Sequence, residues 1–352
     1  MIVNLQVVRG IAALLIVFDH WADAHGGTLA RIGLAGATGV DLFFVVSGFV
    51  MVYTTTNKPV SALAFAKNRI VRIAPLYWGA TIFAFLLTAA APALMRSTSA
   101  DPIALLKSLA FIAYEKSPGR VYPVLFPGWT LNYEMFFYAI FAASLLLRDR
   151  AAQFGCVLLV ILGCVTYGAI ASPADAVTGF YTAPILLEFG YGMVLALLHP
   201  QIVRTTLPRI WLIGLLIVGA AALLGLHFLD GPDRAFRSGL PAAGIIFCVL
   251  ALEARGIAWR APAALLLGEA SYALYILHPF AVAGLFKLAS AAHLNTGPMR
   301  WIAGVVIIGS AVAMAIGIHW YVERPVHQWL RARLLSPART KQAGTQATEV
   351  LG

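Results

Sequence analysis

Apolar runs of about 17 to 22 residues recur along nearly the whole chain, and each is long enough to cross ~30 Å of hydrocarbon as a helix. Short polar stretches rich in Pro or Gly separate them. Of the 352 residues, 61% are hydrophobic and 11% charged, whereas a soluble domain carries roughly a quarter charged residues. No soluble fold of this length covers that much apolar surface. In lipid a helix satisfies its own backbone hydrogen bonds, so the expected fold is all-α, a polytopic bundle of about ten transmembrane helices. The spans fall near residues 5–21, 36–55, 75–94, 129–147, 154–172, 182–198, 210–229, 238–254, 268–288 and 301–321. They form one domain over residues 1–330, followed by a polar tail, 331–352, that is predicted to be disordered because it has no apolar periodicity.

The formal charge of +10 does not call for nucleic acid, because the basic residues sit mostly in short loops between apolar runs and form no single patch. Most of them, including Lys67, Arg69, Arg72, Arg148, Arg150 and Arg209, lie on one side when the N-terminus is cytoplasmic. The positive-inside bias therefore puts both termini in the cytoplasm. Cys156, Cys164 and Cys248 all fall inside apolar runs, so neither a disulfide framework nor a thiolate metal site is expected. The first run resembles a secretory signal, with Ala22-Asp23-Ala24 as a small-residue site. Arg9, Asp19 and His20 inside it argue for a retained helix, since each charge costs roughly 2.5 to 3.5 kcal/mol at the membrane centre.

Those intramembrane polar residues carry the functional argument. Arg9 and His20 are eleven residues apart, which returns to within about 20° of the same helix face at a rise of roughly 16 Å. One stripe thus presents a fixed cation near the cytoplasmic side and an imidazole near the outer side. A snorkelling arginine and a satisfied interfacial histidine are the plainer alternative. The second span places Asp41 near its outer end and the Ser47-Gly48 pair at mid-membrane; a close helix crossing at Gly48 is the structural reading. Arg69 and Arg72, three apart, turn two guanidinium forks the same way, a geometry suited to phosphate, although topology alone also accounts for two cytoplasmic arginines. Glu134, in Trp129-Thr130-Leu131-Asn132-Tyr133-Glu134, is expected at the depth of His20 and Asp41, and Glu188 is a weaker further candidate. His278, between Tyr275 and Pro279, reads either as a pocket residue or, preferentially, as a polar contact inside the bundle. Glu323-Arg324-Pro325 reads as a charged helix terminus.

Taken in order, these pieces resemble acyltransferase family 3, the integral membrane O-acyltransferases that include O-antigen and exopolysaccharide acetylases. The matching pieces are Arg9 with ten residues before His20, the Gly39 to Phe49 stretch, Arg69 to Pro75, Trp129 to Glu134, Tyr272 to His278, and Glu323-Arg324-Pro325. Thr130 stands where Ser is common, and the extra helix and outer esterase-like domain of some members are not expected here. The compact form is most similar to the exopolysaccharide acetylases.

The resemblance implies transfer of an acyl group, commonly acetyl from acetyl-CoA, to a carbohydrate hydroxyl at a bacterial inner membrane, with Arg9 and His20 needed for activity and no metal. On this reading Arg9, Arg69 and Arg72 hold the donor's phosphates, and His20 serves as general base with Glu134 or Asp41 orienting it. An acyl-histidine intermediate remains an alternative to direct transfer. Ser47, Tyr133, Tyr275 and His278 complete the expected binding surface, and the partners are acyl-CoA, a polysaccharide or lipid-linked saccharide, and membrane lipid. The rival class is a transporter or flippase, in which intramembrane acids and histidines form a path. Such proteins show repeat symmetry, and none is visible in this sequence.

Overall fold

The computed structural model describes residues 2–57, 60–91, 100–228 and 233–335. Ten principal helices run in chain order. They are α1 (Val3–Asp23), α2 (Gly39–Asn57), α3 (Ala62–Ala90), α4 (Gly128–Ser144), α5 (Arg150–Ala171), α6 (Leu187–Leu197), α7 (Arg209–Gly225), α8 (Leu240–Ala254), α9 (Ser271–Ala291) and α10 (Met299–Ile318). Among the described residues, nine helical stretches are long and apolar enough to cross a membrane. The tenth helix of the bundle, α4, has 17 residues and packs against α3 and α5. The architecture is the expected all-α, multi-pass bundle. Between α3 and α4 lie a short helix, Pro102–Leu109, and a two-stranded hairpin of Glu115–Ser117 with Arg120–Val121. Most of the expected tail, residues 336–352, lies outside the described residues.

Helix α1 sits at the centre, packed against α2, α8, α9, α10 and the short helix Pro262–Glu269. Its first N–H groups have no intrahelical acceptor, and Ile2 offers no side-chain cap. Glu253, at the end of α8, supplies one from outside: its two carboxylate oxygens accept from Val3 N at 2.9 Å and Asn4 N at 2.7 Å. The Asn4 side chain is fully buried. It donates to the Val249 and Ile257 carbonyls at 3.0 and 2.9 Å and accepts from Trp259 N at 2.9 Å. A negative group at the positive end of the helix dipole adds to this arrangement. The contact also puts the start of α1 and the end of α8 on one face of the bundle, and Arg150 at the start of α5 donates to the Thr56 carbonyl at the end of α2 at 3.2 Å.

The helices α2 and α6 cross in close backbone contact. A Cβ on Gly48 would stand 2.1 Å from the Phe189 carbonyl oxygen, and one on Gly192 would stand 2.0 Å from that of Val45. Two glycines facing each other's backbone are what membrane helices use to approach closely, so the packing reading of Gly48 holds while its neighbour Ser47 turns to the interior.

Two span boundaries differ from expectation. Helix α3 starts at Ala62, not at Pro75, because Ser61 Oγ caps Ala64 N at 3.3 Å and Pro75 is accommodated within the helix. Arg69 and Arg72 are therefore helical residues, one face of a continuous rod. Past α10 the helical path does not end at Tyr321. It continues through a π-turn, His319–Glu323, into the helix Arg324–Leu334, where Pro325 sits in the first turn and needs no backbone partner.

Removing the Glu253 carboxylate should loosen the start of α1. Glu253→Ala is expected to cost about 2 kcal/mol, the range for hydrogen bonds to a charged group, and Glu253→Gln roughly half of that. Thermal unfolding of the detergent-solubilised protein checks the order wild type, Gln, Ala.

Candidate active site

A cavity of about 870 Å³ opens inside the bundle, walled by α1, α2, α3, α4, α9 and the segment after α10. That volume suits a large cofactor or donor substrate. Along α2 the wall extends from Val40 to Thr54, a helix rise of about 21 Å. At the face where α1 begins, the cavity carries Arg9, Arg69, Arg72, Arg324 and His327, with Glu269 and Glu323 among them. The Arg69 guanidinium lies over the rings of Phe65 and Tyr138, 5.4 and 5.8 Å from their centroids. Its buried Nε has no hydrogen-bond partner among the described residues. A cation held by aromatic faces, with a donor left over, is ready for an anion. Arg9 Nη1 donates to Gln6 Oε1 at 2.8 Å.

Midway along, Glu134 accepts from Ser47 Oγ at 3.0 Å and from the Tyr138 hydroxyl, one helical turn away on α4. At the far end Tyr275 closes the cavity with Phe43, ring centroids 5.8 Å apart. The Tyr275 hydroxyl donates to the Pro127 carbonyl at 2.9 Å and shares a 2.7 Å hydrogen bond with Thr130.

Directly beyond Tyr275 lie two histidines. The rings of His278 and His20 meet edge to face with centroids 4.7 Å apart. His278 is fully buried, and its Nδ1 faces the Tyr275 carbonyl at 2.8 Å and that of Leu274 at 3.2 Å. Pro279 explains the shorter contact. The Tyr275 carbonyl would ordinarily accept from the N–H of residue 279, which proline lacks, so the freed oxygen takes the imidazole instead. His20 makes the parallel contact, Nδ1 to the Ile16 carbonyl at 3.0 Å. A carbonyl accepts only from N–H, so in the neutral form of either ring Nε2 carries the lone pair. The His278 Nε2 has no partner among the described residues. On its other side His20 meets Phe126 at 5.6 Å between centroids, and its side chain is 29% exposed. The imidazole is thus reached from outside the bundle while standing one layer above the cavity's closed end.

The expected partnership of His20 with Glu134 or Asp41 is not formed. Asp41 is fully buried and bound in two-pronged fashion by Arg234, with Nε to Oδ1 and Nη2 to Oδ2 both at 2.9 Å. A buried carboxylate is costly unless so paired, and Glu188 is buried beside it. Glu134 bonds to Ser47, six residues below Asp41 on α2, so it lies about 9 Å deeper; the three groups do not share one depth. The carboxylate that meets His20 is that of Asp19, 3.7 Å from Nδ1. Tyr133 does not line the cavity either, because its hydroxyl donates to the Phe180 carbonyl at 2.7 Å and its ring stacks on Phe180. Arg9, Arg69, Arg72, Ser47, Tyr275 and Glu134 are brought together as cavity lining, and His278 is joined to His20.

A family model described as an acyltransferase domain matches residues 2–320. The chain belongs to acyltransferase family 3. It is 35% identical over 305 residues to the exopolysaccharide production protein ExoZ of Rhizobium meliloti, covering 85% of this chain and 92% of that protein. It is 28% identical over 312 residues to the acyltransferase MdmB of Streptomyces mycarofaciens, covering 78% and 77% of the two. No solved structure matches. This acyltransferase is therefore a multi-pass membrane enzyme, and the transporter reading falls away.

Several polar groups of the acyltransferase were not singled out from sequence. Asp19 is adjacent to His20 and was visible only as a charge in the run. Tyr138 stands four residues after Glu134, a helical spacing that could have been read. Arg234 is 193 positions from Asp41, and no local signal joins them. His319 and Glu323, paired at 2.8 Å, belong to the cavity wall and not merely to a helix end.

Asp41→Asn should behave as a folding defect. It leaves Arg234 without its counter-charge, at an expected cost on the order of 3 kcal/mol, discounted for the partial exposure of Arg234. The double variant Asp41→Asn/Arg234→Gln should recover part of the folded yield measured by size-exclusion chromatography.

Proposed function

We propose that this acyltransferase moves an acetyl group from cytoplasmic acetyl-CoA to a hydroxyl of a carbohydrate presented at the opposite face of the bacterial inner membrane. Both termini are then cytoplasmic, residues 1–330 form the catalytic domain and 331–352 a cytoplasmic tail. One observation carries the reading: a cavity that starts at a cluster of arginines and ends one side chain short of an imidazole exposed on the other side. The similarity to a protein named for exopolysaccharide production supports a carbohydrate acceptor.

In this reading Arg69 and Arg72 hold the donor's phosphates, with Arg9 further in, because planar guanidinium forks match phosphate oxygens. The thiol-bearing arm runs between α1 and α2 toward Tyr275. The His20 Nε2 takes the proton from the acceptor hydroxyl, and the oxygen attacks the thioester carbonyl. Collapse of the tetrahedral intermediate breaks the C–S bond, and the departing thiolate receives the proton from His20. Asp19 stabilises the transient imidazolium, while the Ile16 carbonyl holds the tautomer that leaves Nε2 free. His278 acts as a positioning residue for the His20 ring. Glu134, held by Ser47 and Tyr138, balances the arginines of the cavity.

The test is transfer of radiolabelled acetyl from acetyl-CoA to membrane glycolipids by the purified protein. His20→Ala and His20→Gln should each lower transfer by 10² to 10⁴-fold, the usual contribution of a general base, with expression and CoA binding retained. Near-wild-type transfer by the Gln variant would show that His20 only positions a substrate. Replacing Arg69 and Arg72 together by Lys should weaken CoA binding in calorimetry at least tenfold without loss of folded protein.

A further inference from the structure

The turn that leads into α4 is buried at Val121, Pro123, Val124, Leu125, Pro127 and Gly128, yet Phe126 is 41% exposed and Tyr122 half-buried. Their rings pack together, centroids 4.8 Å apart. The backbone on either side of Phe126 is fixed. Val124 N donates to Ser108 Oγ at 2.9 Å, and the Pro127 carbonyl accepts from the Tyr275 hydroxyl at 2.9 Å. The exposed ring is therefore held in place beside the edge of His20.

An outward aromatic on a membrane protein ordinarily meets lipid, but the surface here is of the wrong kind for that. Asp19 and His20 are partly exposed, and Asp23, at the end of α1, and Glu115 and Arg120, in the hairpin before the turn, are exposed. Charged groups of this sort require water. A rigid aromatic face in an aqueous, carboxylate-bearing setting is suited to the C–H face of a pyranose ring, whose hydroxyls then reach the carboxylates and the imidazole.

We infer that Phe126, backed by Tyr122, is the acceptor-sugar platform, stacking one hexopyranose so that a ring hydroxyl meets the His20 Nε2. The inference rests on the carbohydrate-acceptor reading above. It predicts that the platform governs acceptor binding and leaves the donor side untouched.

The test uses full-length purified protein, labelled acetyl-CoA and two probes, cellotetraose and β-galacto-oligosaccharides. Acetyl-CoA hydrolysis without saccharide reports the donor side. Phe126→Ala should raise the acceptor KM at least tenfold with acetyl-CoA hydrolysis and KM for acetyl-CoA unchanged, and Phe126→Trp should stay within threefold of wild type. An unchanged acceptor KM in Phe126→Ala, or an equal fall in donor hydrolysis, overturns the platform alone and leaves the acetyltransferase reading standing. Hydrolysis by the wild type without transfer to either saccharide overturns the carbohydrate reading and the platform with it.

Discussion

The grip of Glu253 on the first N–H groups of α1 is the contact on which the rest of the site depends. It joins the start of the first helix to the end of the eighth, and Asn4 completes it with three further hydrogen bonds to the same region. Arg9 follows five residues later and His20 near the other end of the same rigid rod. A helix is stiff over this length, so fixing its start sets the height of both groups relative to the cavity. The interaction is also one a membrane protein has reason to keep buried and paired, since unsatisfied backbone donors there are costly.

Around that rod the polar groups sort into three separate sets. Arginines and Glu134 line the cavity; His20 and His278 stand above its closed end; Asp41, Arg234 and Glu188 form a separate cluster near α6. Separation has a chemical use. A base that must take a proton keeps its Nε2 free of strong partners: Asp19 meets the ring on its Nδ1 side, and Glu134 and Asp41 are held elsewhere by Ser47, Tyr138 and Arg234. The proline after His278 contributes by releasing the carbonyl that fixes its ring.

The helical fold and the family were legible from sequence because both are written locally, in apolar run lengths and in short motifs such as Arg69 to Pro75. The face shared by Arg9 and His20 was equally readable, since helical periodicity alone defines it. Pairings across the bundle were not. Placing Asp41, Glu134 and His20 at one depth failed because the Glu134 side chain meets Ser47, six residues and about 9 Å along α2 from Asp41, a pairing between helices that span limits do not reveal. The Asp41 to Arg234 bond spans 193 positions and leaves no periodic trace. His278 was read as an interior contact because nothing in the sequence says which helix it faces.

The central claim is that donor and base approach each other through the bundle, along the cavity and up to His20. A cryo-electron microscopy structure with a non-hydrolysable thioether analogue of acetyl-CoA tests it most directly. The account predicts phosphate density against Arg69 and Arg72, and the sulfur beyond Ser47, beside Tyr275 and within reach of His20. Nucleotide density on the face that carries Phe126, or a sulfur stopped at Glu134 with Tyr275 still closing the way, would contradict it.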